Sequence, residues 1–424
     1  MSGIEVHLYD TDNSTHLAVL EQAFEIRYGD VLSGVGAGQF SIPLASPFAT
    51  IEVVDGPTIM VSATNFLAIS ASDQLLSSSP AAALDKPGMI EGGHIARLRI
   101  HNVDVGAFII EKLDVPDVLQ TRVMTCSGRS LLALFDRATV WPSDTSNYAT
   151  MEKAYSAKTF AYIIEDLMTA AAARGVTLPA DDFSPTNDSD GVAFVDSNTV
   201  QYKGGTSLLD VILQHADLGI EVTIGPTGIL HYYKSGGAGQ DRSATVYFRE
   251  RQNVLSAGRT EQHANLANAI LGDGQSILSA QTDATSIATY GRRERLASMG
   301  NISNSATLAT MTQQTRDQWK NPQSSLRISV EPDTVMPIGY QQLEPQSPFI
   351  DYGLGDLVTV DLPTDGLLES YRVWGISLAG DGESLVVEVT LGTLIDDYLL
   401  RVDQALRRLL LSPLEAIVSG GTAV

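Results

Sequence analysis

The sequence is short of thiols, of positive charge and of long apolar runs. A single cysteine, Cys126, stands among 424 residues, which excludes an intrachain disulfide and any zinc site built on several thiolates. Because Cys126 lies in an alternating, strand-like segment, it reads as a core residue rather than a nucleophile. Lysine and arginine number 27 against 50 aspartates and glutamates, a formal charge of −23. Holding a phosphate backbone requires clustered basic residues, so nucleic-acid binding is excluded as the main activity. The acids are spread along the chain, unlike the blocks of a disordered acidic tail. No apolar run reaches the ~18 residues of a membrane span, and no basic start leads into an apolar stretch as in a cleaved leader. Neither a span nor a leader is expected, and synthesis and assembly are expected in a cytoplasm.

Catalytic signatures are equally scarce. No His-Glu-x-x-His, Gly-x-Ser-x-Gly or Gly-Lys-Ser/Thr sequence occurs, so the metalloprotease, serine-hydrolase and phosphate-loop patterns are missing. The seven histidines stand singly. His7 and His231 fall in strand-like segments and His215 on a helix, which favours packing or surface roles. Gly34-Val35-Gly36-Ala37-Gly38 is followed by no capped helix and has no lysine nearby, so it is not a nucleotide loop. Asp10, Asp12, Ser14 and Glu21 fit a calcium-loop template, but Thr15 stands where that loop needs glycine, leaving a solvated turn. The acidic stretch 181–191 reads as a polar loop. With 50 acids, a carboxylate pair for sugar hydrolysis stays open, but nothing singles one out. No catalytic residue, cofactor or metal is expected.

What is present is strand periodicity, and one pattern of it occurs twice. From Gly355, Leu357 to Asp361 alternates before the turn Pro363-Thr364-Asp365-Gly366. Tyr371 to Leu378 then resumes the alternation, and Leu385 to Leu391 follows the turn at Gly380-Asp381-Gly382. From Gly93, Ile95 to Ile100, Phe108 to Val115 and Arg122 to Cys126 repeat the sequence of events. The glycine-to-glycine spans, Gly93 to Gly128 and Gly355 to Gly392, are 35 and 37 residues. This spacing suggests two copies of one barrel-like module.

The chain in order supports about two to four domains. Ile4, Val6 and Leu8, then Phe24, Ile26 and Tyr28, then Phe40, Ile42 and Leu44 mark short strands. An Ala-, Ser- and Pro-rich excursion interrupts them over Ser62–Gly92. A helix carrying Phe160, Ile163, Ile164, Leu167 and Ala171 is capped by Ser156 and stopped by Gly175. A second, with Leu208, Leu209 and Ile212, has the capping-box spacing Ser207/Asp210. A hairpin turns at Gly225-Pro226-Thr227-Gly228. Strands resume at Val246 and Phe248, interrupted by helices after Asp283 and over Ala306–Lys320. In the tail, Ile395, Leu399, Val402, Leu406 and Leu409 keep heptad spacing, the mark of an interaction helix. The expected fold is α+β, mostly β. Residues 1–147 form a first tube-like antiparallel β-barrel with an insertion near 62–92, and 148–243 an inserted small α+β domain. Residues 244–393 form a second barrel with a helical insertion near 283–320, and 394–424 a C-terminal helix and tail.

Two short motifs complete the pattern: Asp283, Ser286-Ile287, Tyr290-Gly291-Arg292 and Glu294, then Asp351-Tyr352-Gly353-Leu354-Gly355-Asp356. With the order barrel, α+β insert, barrel, over roughly residues 1 to 393, they make the chain resemble the baseplate hub, or tail-tip, proteins of long-tailed bacteriophages, which include many minor tail proteins of siphophages. The resemblance implies a homotrimer whose two tube-like barrels per chain build a pseudo-sixfold ring continuing the tail tube. It also implies a DNA channel that passes but does not bind the genome, a place at the virion tail tip, and distal tail, tape measure and receptor-binding or fibre proteins as partners. A cell-wall hydrolase or receptor-binding domain on the same chain is not implied, because the long C-terminal extension of larger relatives is missing. The symmetry is physically coherent: three chains with two similar modules present six units to a sixfold tube. A cell-wall-degrading tail enzyme or a monomeric carbohydrate-binding adhesin would share the β-rich composition without needing the duplicated unit or the threefold state.

Overall fold

The computed structural model describes residues 4–43, 90–114, 123–142, 152–194, 198–299, 302–330, 348–380 and 385–392. The first half holds β1 (Glu5–Tyr9), β2 (His16–Val19), β3 (Phe24–Val31), β4 (Ala37–Pro43), β5 (Ile95–Ile100), β6 (Val103–Ile109), β7 (Lys112–Asp114) and β8 (Val123–Arg129). A buried 3-10 turn, Leu131–Arg137, ends it. The middle holds β9 (Glu152–Lys158), α1 (Phe160–Ala172), β10 (Ala180–Asp181), β11 (Asn198–Lys203), α2 (Leu208–Asp217), β12 (Glu221–Ile224) and β13 (Ile229–Tyr233). There follow β14 (Tyr247–Arg249), β15 (Val254–Gln262), β16 (Ala269–Asp273), β17 (Leu278–Thr282), α3 (Ala284–Tyr290), β18 (Glu294–Ser298) and α4 (Ser305–Trp319). The last strands are β19 (Gln323–Val330), β20 (Leu357–Leu362), β21 (Leu367–Gly380) and β22 (Leu385–Gly392).

The fold is α+β and mostly β, and strands of both halves join one large sheet. Its path runs β15-β19-β22-β21-β3-β4-β8-β7, four strands from each half, joined where Gly375–Gly380 of β21 pairs antiparallel with Ile26–Val31 of β3. The sheet β2-β1-β5-β6 packs on the first half, while in the second half β20, with its parallel partner β14, branches from the large sheet by pairing with Leu367–Arg372 of β21. Alternation buries one face between the layers. Ile26, Phe40, Ile42, Met124 and Cys126 of the first half share a single core with Ile328, Ile376, Leu378, Val387 and Val389 of the second. Among the described residues, no circuit of hydrogen-bonded strands closes into a barrel.

A second core lies under the helices. Phe160, Ile163, Ile164 and Leu167 of α1 and Leu208 and Ile212 of α2 pack with Tyr202, Leu230 and Tyr232. Ile270, Ala297, Leu308 and Met311, from the segment of α3 and α4, complete the same core, so both helical regions are built on one apolar cluster.

Three local expectations change. The strand foreseen over Phe108–Val115 breaks after Ile109, because Ile110 N donates to His94 O at 2.8 Å while Glu111 N donates to Ser127 O at 3.0 Å. The chain thereby leaves one layer for the other. The cap of α1 is Thr159, whose hydroxyl accepts from Tyr162 N at 3.0 Å. Ser156 is kept in β9, which pairs with β11 as far as Lys158. The longer late helix starts at Ser305 under an Asn304 cap and ends at Trp319.

Candidate assembly surface

The large sheet has a second face, and pairing registers define it across all eight strands of the path. Ser256, Gly258 and Thr260 stand opposite Ser329, Arg327 and Ser325. Arg327 and Ser329 stand opposite Thr390 and Glu388, and these opposite Gly375 and Ser377. Ser377 leads to Gly29, Ala379 to Arg27, and Arg27 to Gln39. Gln39 and Ser41 oppose Ser127 and Thr125, which pair with Lys112 and Asp114 of β7. While the buried face is Ile, Val, Leu, Phe and Met, this one is mainly Ser, Thr, Gln, Gly and charge, with Val386 opposite Ala379 as an exposed apolar residue. Arg327 Nε lies 3.1 Å from Glu388 Oε1, Lys112 Nζ 2.8 Å from Asp114 Oδ2, and Arg129 Nη2 2.8 Å from Glu111 Oε1. No run of unbalanced arginine or lysine crosses it. Ser41 and Ser325 of this face are buried; the rest is polar, neutral to weakly charged and without an extended apolar patch of the kind that grips a partner.

The sheet ends in two edges of different character. In β15 only Val254 of nine residues is buried, and Leu255 is 61% exposed. Antiparallel pairing with β19 satisfies one side of β15, and among the described residues no strand pairs with its other side. At the far end the three-residue β7 pairs, among the described residues, only with β8. Open ladders of this length are templates for another chain.

Sequence reasoning named Ile395, Leu399, Val402, Leu406 and Leu409 as the interaction residues, and these lie outside the described residues. It missed a charged joint between the small domain and the second half. Arg372, on β21, donates through Nη2 to Glu221 Oε2 at 2.7 Å and through Nε to Gly355 O at 2.8 Å. Glu221 also accepts from Gly236 N and Ala238 N, both at 2.9 Å. The Asp351–Asp356 motif belongs to the same joint. Asp356 accepts from Gln240 N at 2.6 Å and Gly353 N at 2.9 Å. Gly355 has φ +88°, and a Cβ there would lie 2.6 Å from Ala238 O. Tyr352 packs edge-on to Phe248 with centroids 5.1 Å apart. The Asp283–Glu294 motif is likewise structural. Asp283 caps α3 by accepting from Ser286 N at 2.9 Å, and buried Asn268 ties Gly291 O (2.8 Å) and Arg293 N (2.8 Å) around it.

The buried titratable groups nearest to catalytic types are held in packing roles. His215 is fully buried in the second core, Phe160 against its ring, with Nε2 2.6 Å from Tyr202 OH and Nδ1 bonded to Tyr232 OH. Burial holds its pKa down at about 3, so it is neutral. Burial likewise pushes the Cys126 thiol up to about 12, which makes it inert. Among the described residues no group of three or more His, Cys, Asp or Glu is disposed to hold a metal ion, and no helix is long and apolar enough to cross a membrane.

No protein-family model and no curated protein matches the sequence. Solved structures do match. The 43 kDa tail protein of prophage MuSo2 from Shewanella oneidensis aligns over 92% of this chain and 98% of its own, with TM-score 0.56 and 13% identity. A tail protein from Neisseria meningitidis MC58 aligns over 92% and 96%, with TM-score 0.55 and 12% identity. Prophage tail protein gp18 from Listeria monocytogenes EGD-e aligns over 96% and 100%, with TM-score 0.52 and 11% identity. Coverage is near end to end in both directions, so the chain has the fold of these prophage tail proteins.

Proposed function

We propose that this protein is a structural hub at the tail tip of a tailed bacteriophage of the siphophage type. In this reading it is a homotrimer that joins the sixfold tail tube to the distal adsorption apparatus and encloses the DNA channel. The observation that carries the reading is the sheet of four strands from each half, mostly polar on one face, whose two end strands have one partner each among the described residues. Two similar sets of strands per chain give six per trimer, which matches a threefold object to a sixfold one. Pairing β15 of one chain with β7 of the next removes both open ladders at once. The polar face then lines the lumen, while the apolar face stays in each chain's own core. The division at 147, 243 and 393 follows: two tube modules, one small domain between them, and a tail whose Ile395, Leu399, Val402, Leu406 and Leu409 pack between chains. Distal tail, tape measure and receptor-binding or fibre proteins are the partners such a ring meets, and the virion is its location.

Mass in solution tests this directly. The full chain should sediment at three times its 45.3 kDa. Adjacent N–H groups of a strand point to opposite sides, so one of Ala257→Pro and Gly258→Pro removes an outward donor of β15 without touching the bond to β19. That variant should be monomeric with nearly unchanged thermal stability, and truncation after Thr393 should also weaken the trimer. A wild-type monomer, or two proline variants that both assemble, would rule the ring out. Release of sugar from host envelopes by the isolated chain would point instead to a cell-wall enzyme.

A further inference from the structure

Where β3, the β12–β13 hairpin and the loops before β14 and β20 meet, they leave a cavity of about 320 Å³. Its charged and titratable lining is Tyr28 and Asp30 from β3, Asp190, His231 and Tyr233 from the small domain, and Arg242 and Asp356 from the loops. Asp30 is the group that requires an account. It is 8% exposed, and its carboxylate accepts only neutral donors, Val31 N at 3.0 Å and Tyr28 OH at 3.2 Å. Among the described residues, no Lys, Arg or His nitrogen comes within 4.0 Å of it. The two basic groups of the cavity are already engaged: Arg242 Nε lies 3.0 Å from Asp356 Oδ2, and His231 Nδ1 lies 2.6 Å from Asp182 Oδ2. Asp190, exposed beside them, adds a second carboxylate.

A buried carboxylate with no counter-charge is costly, and a cation in the space beside it recovers the cost. Metal is the poorer occupant, since among the described residues no group of three His, Cys, Asp or Glu is disposed to hold one and hard cations need about six oxygens. The walls suit an organic cation. Tyr28, Tyr233 and Phe349 supply aromatic surface around the acid, and carboxylate with aromatic faces is the combination that recognises alkylated nitrogen. The volume is that of a small-ligand site, at the low end of the roughly 300–1,000 Å³ range. We propose that this cavity binds an alkylammonium or alkylguanidinium group, with Asp30 as its counter-charge. Because the lining comes from all three parts of the chain, an occupant ties the first half, the small domain and the second half together. The group belongs either to a free amine or to a lysine or arginine of a neighbouring protein. The inference stands whether or not the chain is a hub.

Calorimetry on the full chain tests it, with agmatine, Nα-acetyl-arginine amide and calcium chloride as probes, at pH 6 in two buffers of different ionisation enthalpy. Burial lifts the Asp30 carboxyl to about 6, so binding of a cation should expel about half a proton at that pH. Asp30→Asn should fold normally and bind at least about tenfold more weakly, the worth of one charge-assisted bond. Binding of agmatine alone assigns a free amine, whereas binding of the arginine amide as well admits a protein side chain. Both outcomes support the site. Calcium binding without amine binding, equal affinity in Asp30→Asn, no proton release, or no binding by either amine at about 10 mM would overturn it.

Discussion

Two buried titratable residues set opposite pH dependences. Asp30 has its folded pKa raised to about 6 by burial, above the ordinary 3.8, so the unfolded chain ionises first as pH rises. The stability this group contributes is full below pH 4 and is lost as pH climbs to about 6. Asp30→Asn should therefore raise stability by about 2 kcal/mol at pH 7.5 and change little at pH 4, read from urea midpoints at both. His215 runs the other way. Its folded pKa of about 3 lies below 6.5, so its contribution is present above pH 6.5 and is lost as pH falls toward 3. His215→Gln should cost about 1–3 kcal/mol at pH 7 through weakened bonds to Tyr202 and Tyr232, yet flatten the acid limb between pH 6 and 4. A steeper acid limb in the variant would contradict this account. The sequence already hinted at both residues. Asp30 follows Ile26 and Tyr28 on one side of an alternating strand, which places an acid on the core face. His215 sits on the apolar side of its helix, but its tyrosine partners, 13 and 17 residues away, come from β11 and β13, and helix periodicity carries no information about them.

Elements defined by their own periodicity were legible, whereas joints between them were not. β20, β21 and β22 fall where alternation and Gly-rich turns put them, and α2 has the Ser207 cap that its spacing foretold, with Asp210 N donating to Ser207 Oγ at 3.2 Å. The first copy of the three-strand unit reads less well because its middle strand divides between two layers at Ile110, a tertiary choice that leaves the local pattern unchanged. The glycine run that leads into β4 serves packing: a Cβ at Gly38 would overlap the Phe108 ring, and one at Gly36 would meet Gly29 O. The joint at Arg372 and Glu221, 151 residues apart, left no trace in any local window. It is nonetheless decisive for how β12 and β21 hold together. Side-chain exposure is 21% for Arg372 and 9% for Glu221, so Arg372→Gln strands a nearly buried carboxylate and should cost about 3–5 kcal/mol. Hydrogen exchange should accelerate first around Gly236 and Ala238, whose amides donate to that carboxylate, and in β12, which carries it. Uniform acceleration over β4 and β8 would show that the pair does not act as a joint.

At the scale of the whole molecule, charge bears on what a ring of these chains can carry. Three copies bring a formal charge of 3 × −23 = −69, and the polar face of the sheet holds its basic residues mostly in ion pairs, such as Arg327 with Glu388 and Lys112 with Asp114. A wall of that composition offers a passing duplex no phosphate contacts to be paid for by released counterions, and each such contact would otherwise add about one unit to the salt dependence of binding. Repulsion from the remaining acids keeps a polyanion off the surface, so in the proposed ring a strand driven through the channel would slide instead of lodging. The isolated protein should accordingly show no retention of duplex DNA on a filter or in a gel at physiological salt. Charge reversal on the polar face makes the proposal sharper. Glu388→Lys together with Ser377→Lys and Thr390→Lys would place an unpaired cationic patch on strands β21 and β22, repeated three times round a ring. The triple variant should gain micromolar duplex binding that weakens steeply between about 50 and 200 mM salt, while the same three changes on an isolated monomer leave the lysines too few for comparable affinity. Wild-type protein that binds duplex DNA with a steep salt slope would mean that this face grips the polymer, and a conduit could not be built from it.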